Sequence, residues 1–173
     1  MGVKFGLPPI APRNASLFIL GSLPGDASLA AKRYYAHPTN QFWKLLGAAL
    51  GEELHGLDYE DRLGRLAERG IGLWDVVASA ERPGSLDQAI RGAGHNPIER
   101  LLDDFPGVRA IAFNGGTAAR FGRRLIGDPD GLTLLDLPSS SAANTRPLAD
   151  KALVWSRLAE FGGPAQTGGD DRR

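Results

Sequence analysis

Three short polar segments carry the side chains best suited to handling a ligand: GSLPGDAS at 21–28, WDVVAS at 74–79 and LPSSSAAN at 137–144. They supply the carboxylate of Asp75, the hydroxyls of Ser22, Ser139, Ser140 and Ser141, and the amide of Asn144; Asn40 and Asn114 add two more amides. A carboxylate accepts hydrogen bonds and an amide both donates and accepts, so such a set can grip the polar edge of a small molecule. Serine hydroxyls and loop N–H groups can hold phosphates. Asn40 can accept a hydrogen bond from water and position it for attack, although an amide is no general base at neutral pH. Its type and place suit equally well the N-cap of a helix beginning at Gln41. Gly and Pro after a strand usually make only a turn, so the convergence of three such ends is what points to a site.

Other chemistries find little support. With no cysteine there is neither a disulfide framework nor a thiolate metal site, and three scattered histidines argue against zinc. GSLPG lacks the Lys and Ser/Thr of a phosphate-binding P-loop, and no carboxylate cluster suggests magnesium, which weakens the reading of a nucleotide-phosphate enzyme. Neither a metal nor a cofactor is expected.

The polar segments must be placed by the apolar ones. SLFILG at 16–21 reads as a buried strand, followed by a long loop over 21–39. Phe42, Trp43, Leu45, Leu46 and Leu50 keep helical spacing, and residues 57–69 repeat it with alternating charges. A second strand is predicted at 71–76. SLDQAI (85–90) and PIERLL (97–102) read as short helices, the latter with Asn96 as N-cap and Pro97 in the first helical position. VRAIAFNGG (108–116) is a third strand leading into a helix over 117–126, LTLLDLP (132–138) is a fourth, and a last helix is expected over 147–161. Strands alternating with helices predict an α/β fold, a single domain with a central four-stranded parallel sheet flanked by helices on both faces. The domain is expected over 1–161 and a disordered tail over 162–173. The aromatic set Phe42, Trp43, Trp74 and Trp155 is read as core.

The chain has 173 residues, 42% of them hydrophobic, which fits one domain with a sizeable core. Lys plus Arg and Asp plus Glu both total 20, so no global field recruits a polyanion and any nucleic-acid contact must be local. Arg120, Arg123 and Arg124 read first as an ordinary exposed helix face. The N-terminal segment lacks the apolar core of a signal peptide and no stretch reaches a membrane-spanning length, so a cytoplasmic monomer with no membrane partner is expected.

Four motifs in order, GSLPG at 21–25, YYAHPTNQFW at 34–43, IGLWDVVASAERPGSLDQAI at 71–90 and LPSSSAAN at 137–144, together resemble the hypoxanthine-DNA glycosylases of the uracil-DNA glycosylase superfamily. The resemblance spans residues 15–160. The first two blocks are also similar to the mismatch-specific uracil/thymine-DNA glycosylases, whose loop reads Gly-Ile-Asn-Pro-Gly. What the resemblance implies is a monofunctional glycosylase of base excision repair, acting on single- or double-stranded DNA that contains a deaminated base, hypoxanthine favoured. The alternatives are a uracil/thymine mismatch enzyme and a non-catalytic damaged-base binder.

On the matching positions, the resemblance implies that Asn40 positions the water, that Tyr35 (or else Tyr34) stacks on the extruded base, and that Asp75 reads the base edge. Asp75 also has the plainer reading of a cap or salt-bridge partner. Gly21, Pro24 and Gly25 shape the first loop, with Leu23 against the base, and His37 anchors the second loop. Asn114 can touch the base or simply make an Asn-Gly turn. Ser22, Ser139, Ser140, Ser141 and Asn144 are candidates for the DNA backbone. This chain departs from the pattern at three places: Leu23 stands where the mismatch enzymes have a water-holding Asn, Leu137 where uracil-specific enzymes have a His, and Ala142 where the family has Pro.

Overall fold

Apolar runs without polar alternation become strands covered on both faces, because a parallel sheet joined by crossover helices is sandwiched between them. A computed structural model, describing residues 2–163, places four such runs side by side. In chain order the regular elements are β1 (Val3–Phe5), β2 (Leu17–Gly21), α1 (Asp26–Ala31), α2 (Phe42–Leu50), α3 (Tyr59–Glu68), β3 (Ile71–Asp75), β4 (Val77–Glu81), β5 (Arg91–His95), α4 (Leu101–Asp104), β6 (Ala110–Asn114), α5 (Gly116–Ile126), β7 (Thr133–Leu137) and α6 (Leu148–Trp155). The four-stranded parallel sheet runs β3-β2-β6-β7. Leu17 pairs with Ile71 on one side and with Ala110 on the other, and Ala110 pairs with Thr133.

The period-two alternation of β2 divides its side chains between two cores. Leu17 and Ile19 join Leu73, Ala112 and Leu135 under α2, α3 and α6, around Phe42 and Trp155. Phe18 and Leu20 join Ile111 and Phe113 on the opposite face, against Ala118 of α5 and the segment with Ile98 and Leu101. Burying each such side chain contributes roughly 1.5–3 kcal/mol, and this is what fixes the strand ends in space. Phe42, Trp43 and Trp155 are core as expected, whereas Trp74 is only half-buried.

Several local expectations are corrected. The predicted loop over 21–39 contains α1, and Asn96 does not cap a helix: its Nδ2 donates to the carbonyl of Asp75 instead. PIERLL forms a 3-10 turn over Ile98–Arg100 running into α4, SLDQAI is ordered only as a 3-10 turn over Asp87–Ala89, and the last helix gives way at Ser156 to a 3-10 turn over Ser156–Glu160. A second sheet, antiparallel and ordered β1-β4-β5, was not predicted. The chain enters it straight from β3, turning at Val76. The predicted tail begins at Gly162, yet Gly162 and Gly163 donate hydrogen bonds to Leu158 and Arg69; the rest of it, 164–173, lies outside the described residues. No helix among the described residues is long and apolar enough to cross a membrane.

Candidate active site

Strand order reverses between β2 and β6, where the connection after β2 leaves toward β3 and the one after β6 toward β7. Parallel sheets open a crevice at such a point. A cleft of about 800 Å³ lies there, and all the residues singled out by sequence line it: Gly21, Ser22, Leu23, Pro24, Gly25, Tyr35, His37, Asn40, Asp75, Asn114, Ser139, Ser140, Ser141 and Asn144.

Its floor is built by Gly21, Tyr35 and Asp75. A Cβ at Gly21 would stand 2.5 Å from Asp75 Oδ1 and 3.1 Å from the Tyr35 hydroxyl, so only glycine lets these two groups approach the β2 strand end. Asp75 is 3% exposed and its Oδ2 has no hydrogen-bond partner; the buried Tyr35 hydroxyl has none either. Native interiors rarely leave such atoms unpaired, so both are free to be satisfied by a ligand. Burial, with a smaller contribution from Asp87, pushes the Asp75 carboxyl up to about 7 against the opposing pull of Arg82. Tyr35 adopts φ 54°, a left-handed backbone that bulky residues avoid and that tends to persist at functional sites. One face of its ring is stacked on Phe42 at 3.8 Å. Tyr34 is the core member of the pair, 2% exposed with its hydroxyl donating to Pro8 at 2.8 Å.

The wall opposite is a chain of hydrogen bonds. Asn114, at the end of β6, accepts from the N–H of Ser140 and donates to its Oγ, both at 2.9 Å. Ser140 Oγ in turn donates to Asn40 Oδ1 at 2.8 Å, and the N–H of Phe42 donates to the same oxygen at 3.0 Å. Asn40 therefore does hold the start of α2, one residue later than expected. A carbonyl oxygen has two lone pairs, so a water can donate to Asn40 Oδ1 only when the Ser140 hydroxyl rotates away. Ser140 itself is 1% exposed, and the expectation that it grips phosphate is corrected: its N–H and hydroxyl serve the two asparagines and its carbonyl accepts from the N–H of Gln41 at 2.8 Å. Asn114 likewise spends its oxygen and one donor on Ser140 rather than on a bare turn.

Two buried cations, which the sequence reading missed, hold the surrounding loops. Arg82, 2% exposed, donates to the carbonyls of Leu23 at 3.1 Å, Pro24 at 2.7 Å and Gly84 at 2.9 Å, fastening the GSLPG loop to the β4–β5 connection. Lys151, fully buried, donates to Gln41 Oε1 and to the carbonyls of Ser141 and Asn144, fastening the serine loop to α6. Ser22 is corrected in the same way as Ser140, since its Oγ donates to Asp87 Oδ1 at 2.6 Å instead of facing outward. Burial raises the Asp87 carboxyl above its ordinary range. The Leu23 side chain packs with Val77 and Ala80, and Leu137 sits in the main core. His37 Nδ1 lies 2.9 Å from Thr39 Oγ1 and accepts from the Thr39 N–H, closing the loop before α2. Ser139 and Ser141 accept from backbone N–H groups two residues on, which leaves their own protons for other acceptors.

Residues 8–160 match the model of the Uracil DNA glycosylase superfamily. The chain belongs to this superfamily. It is 39% identical over 153 residues to a protein of Methanosarcina barkeri named hypoxanthine DNA glycosylase, covering 88% of this chain and 96% of that one. A protein of the same name from Methanosarcina acetivorans is 39% identical over 156 residues, with 90% and 98% covered. The fold is similar to the solution NMR structure of a candidate uracil DNA glycosylase from Methanosarcina acetivorans, with TM-score 0.82, 37% identity and 92% and 99% of the two chains covered. The cleft draws its polar groups from the ends of all four parallel strands, at Ser22, Asp75, Asn114 and Ser139, and there is no group of three metal-ligating side chains among the described residues.

Proposed function

We propose that this protein is a monofunctional DNA glycosylase that hydrolyses the bond joining hypoxanthine to deoxyribose in DNA. The observation that carries the reading is the floor of the cleft. An acceptor, Asp75 Oδ2, and a donor, the Tyr35 hydroxyl, are both buried and unspent there. Hypoxanthine presents an N1–H for the carboxylate, and the Tyr35 ring, which lines the cleft and stacks on Phe42 through one face, would stack on the base through the other. A purine is the larger aromatic body and gains more from that face; its N7 can also take a proton or hydrogen bond as the glycosidic bond breaks. The names of the two Methanosarcina relatives are consistent with the same preference.

The test is one panel of duplexes, each carrying a single hypoxanthine, uracil, xanthine or mismatched thymine, assayed for alkali-labile abasic sites with EDTA present. Hypoxanthine is expected to be released fastest and normal adenine not at all. Faster release of uracil from a G·U pair would favour a mismatch enzyme. One observation favours a binder that does not cut, namely the doubly occupied oxygen of Asn40; tight binding to inosine duplexes without abasic product is the outcome that would establish it.

Ser140→Ala supplies a check on the wall. Its loss leaves Asn114 Nδ2 without a partner at a cost of about 1–3 kcal/mol, so the melting temperature should fall by several degrees. Base release should change by less than about tenfold, because each amide keeps one anchor, Asn114 Oδ1 on the N–H of residue 140 and Asn40 Oδ1 on the N–H of Phe42. Unchanged release with weakened DNA affinity would return Ser140 to the phosphate role.

A further inference from the structure

A lysine is almost never fully buried without a carboxylate beside it, because taking an ammonium out of water is costly and only close partners offset the loss. Lys151, on α6, is fully buried and forms no ion pair among the described residues. Its three protons go to three neutral oxygens: Gln41 Oε1 at 2.9 Å, the carbonyl of Asn144 at 2.9 Å and that of Ser141 at 3.2 Å. A methionine would fill similar space without the desolvation cost but offers no donor, and a side-chain amide offers only two. The charge is therefore matched to the three oxygens that converge there and not to packing.

Those oxygens belong to the segments that hold the Asn40 amide. Gln41 follows Asn40 in the chain, and its N–H donates to the carbonyl of Ser140 at 2.8 Å. Ser140 Oγ donates to Asn40 Oδ1, and Ser141 and Asn144 continue the same loop along the cleft. One turn beyond Lys151, Trp155 Nε1 donates to the carbonyl of Pro138 at 2.9 Å, so α6 grips the loop at 138, 141 and 144. The ammonium adds what the tryptophan does not, a bond across to the start of α2. Neither Gln41 nor Lys151 lines the cleft, so any effect of either on base release has to pass through these neighbours.

We infer that Lys151 is a positioning residue for base release, locking the start of α2 to the serine loop so that the Asn40 amide is held in one place over the cleft. The inference rests on the glycosylase reading and on the role given there to Asn40. Lys151→Met, Gln41→Leu and Gln41→Glu are each made alone and together with Asn40→Ala, and assayed on an inosine duplex under single-turnover conditions with enzyme saturating. Lys151→Met is expected to slow release about tenfold or more, and Gln41→Leu, which removes one of the three bonds, about fivefold, since small misplacements of a positioned group are costly. Gln41→Glu keeps an acceptor for the ammonium and should stay within about twofold of the unaltered protein. Affinity for the duplex should be unchanged within about twofold in Gln41→Leu, whose site is outside the cleft. Over Asn40→Ala, Lys151→Met and Gln41→Leu should each cost less than about twofold, because the group they position is gone. A purely structural role predicts the opposite: the same fractional loss in both backgrounds, following the melting temperature. That result, or full rates in Lys151→Met and Gln41→Leu, would overturn the assignment and leave the glycosylase reading in place. Should Lys151→Met not fold, the two Gln41 variants decide the matter by the same comparison. If the unaltered protein releases no base, the glycosylase reading itself fails and the positioning role with it.

Discussion

Asn40→Ala is expected to slow single-turnover release of hypoxanthine by roughly two to three orders of magnitude, as loss of one preorganised polar group in an active site does elsewhere. The melting temperature should fall by only a few degrees. The two effects separate because they draw on different atoms. Stability loses what Asn40 Oδ1 gives to the N–H of Phe42 and the hydroxyl of Ser140, about 1–2 kcal/mol for a cap-like contact. Catalysis loses more. Asn40 faces the cleft with an oxygen that becomes available to water once the Ser140 hydroxyl turns, and positioning matters chiefly in the transition state.

Asn40→Asp refines the test. A carboxylate keeps an acceptor for Phe42 and Ser140, so the fold should be retained, and water finds a stronger acceptor than the amide. This variant should lie well above the alanine variant in rate. If instead the rate losses of both variants follow their melting temperatures, Asn40 is only the start of α2. Circular dichroism melts and abasic-site assays on the same preparations decide between these outcomes.

The parallel sheet was legible because a strand buried on both faces must be written as an unbroken apolar run, as in Leu17–Leu20 and Ala110–Phe113. Polar residues at the ends of those runs then had to meet. The antiparallel sheet was not legible, since Arg91–His95 reads RGAGH and presents no alternating apolar face. Short α1 was hidden for a similar reason: six residues carry too few apolar positions to show a period. Burial of Arg82 and Lys151 depends on carbonyls of Leu23, Pro24 and Asn144, and a carbonyl belongs to every residue, so sequence carries no mark of which ones a cation will find. The reassignment of Ser140 has another cause. Its link to Asn114 exists because β6 lies beside β7, a matter of strand order and not of residue type.

Asp75 is expected to make the choice of base depend on pH. Its carboxyl, raised to about 7 by burial and by Asp87 and restrained by Arg82, is ionised above that value and protonated below it. Only the ionised form offers hypoxanthine N1–H two acceptor oxygens, while the protonated form can donate to the bare N1 of adenine. As pH rises from about 6 to about 8, kcat/KM on inosine duplexes should therefore climb to a plateau, and rejection of adenine should sharpen. Stability should move the other way. A carboxyl whose folded value lies above its unfolded one stabilises the protonated fold, and that contribution is lost as pH rises from about 4 through about 7. Asp75→Asn should remove both dependences at once: the melting temperature rises relative to the unaltered protein at about pH 8 and hardly changes at about pH 4. The same variant should narrow discrimination between hypoxanthine and adenine by about ten- to a hundredfold, since an amide can donate to one N1 and accept from the other. A rate that stays flat across this pH range, with selectivity intact in Asp75→Asn, would confine Asp75 to a structural role and leave the base edge to be read by another group in the cleft.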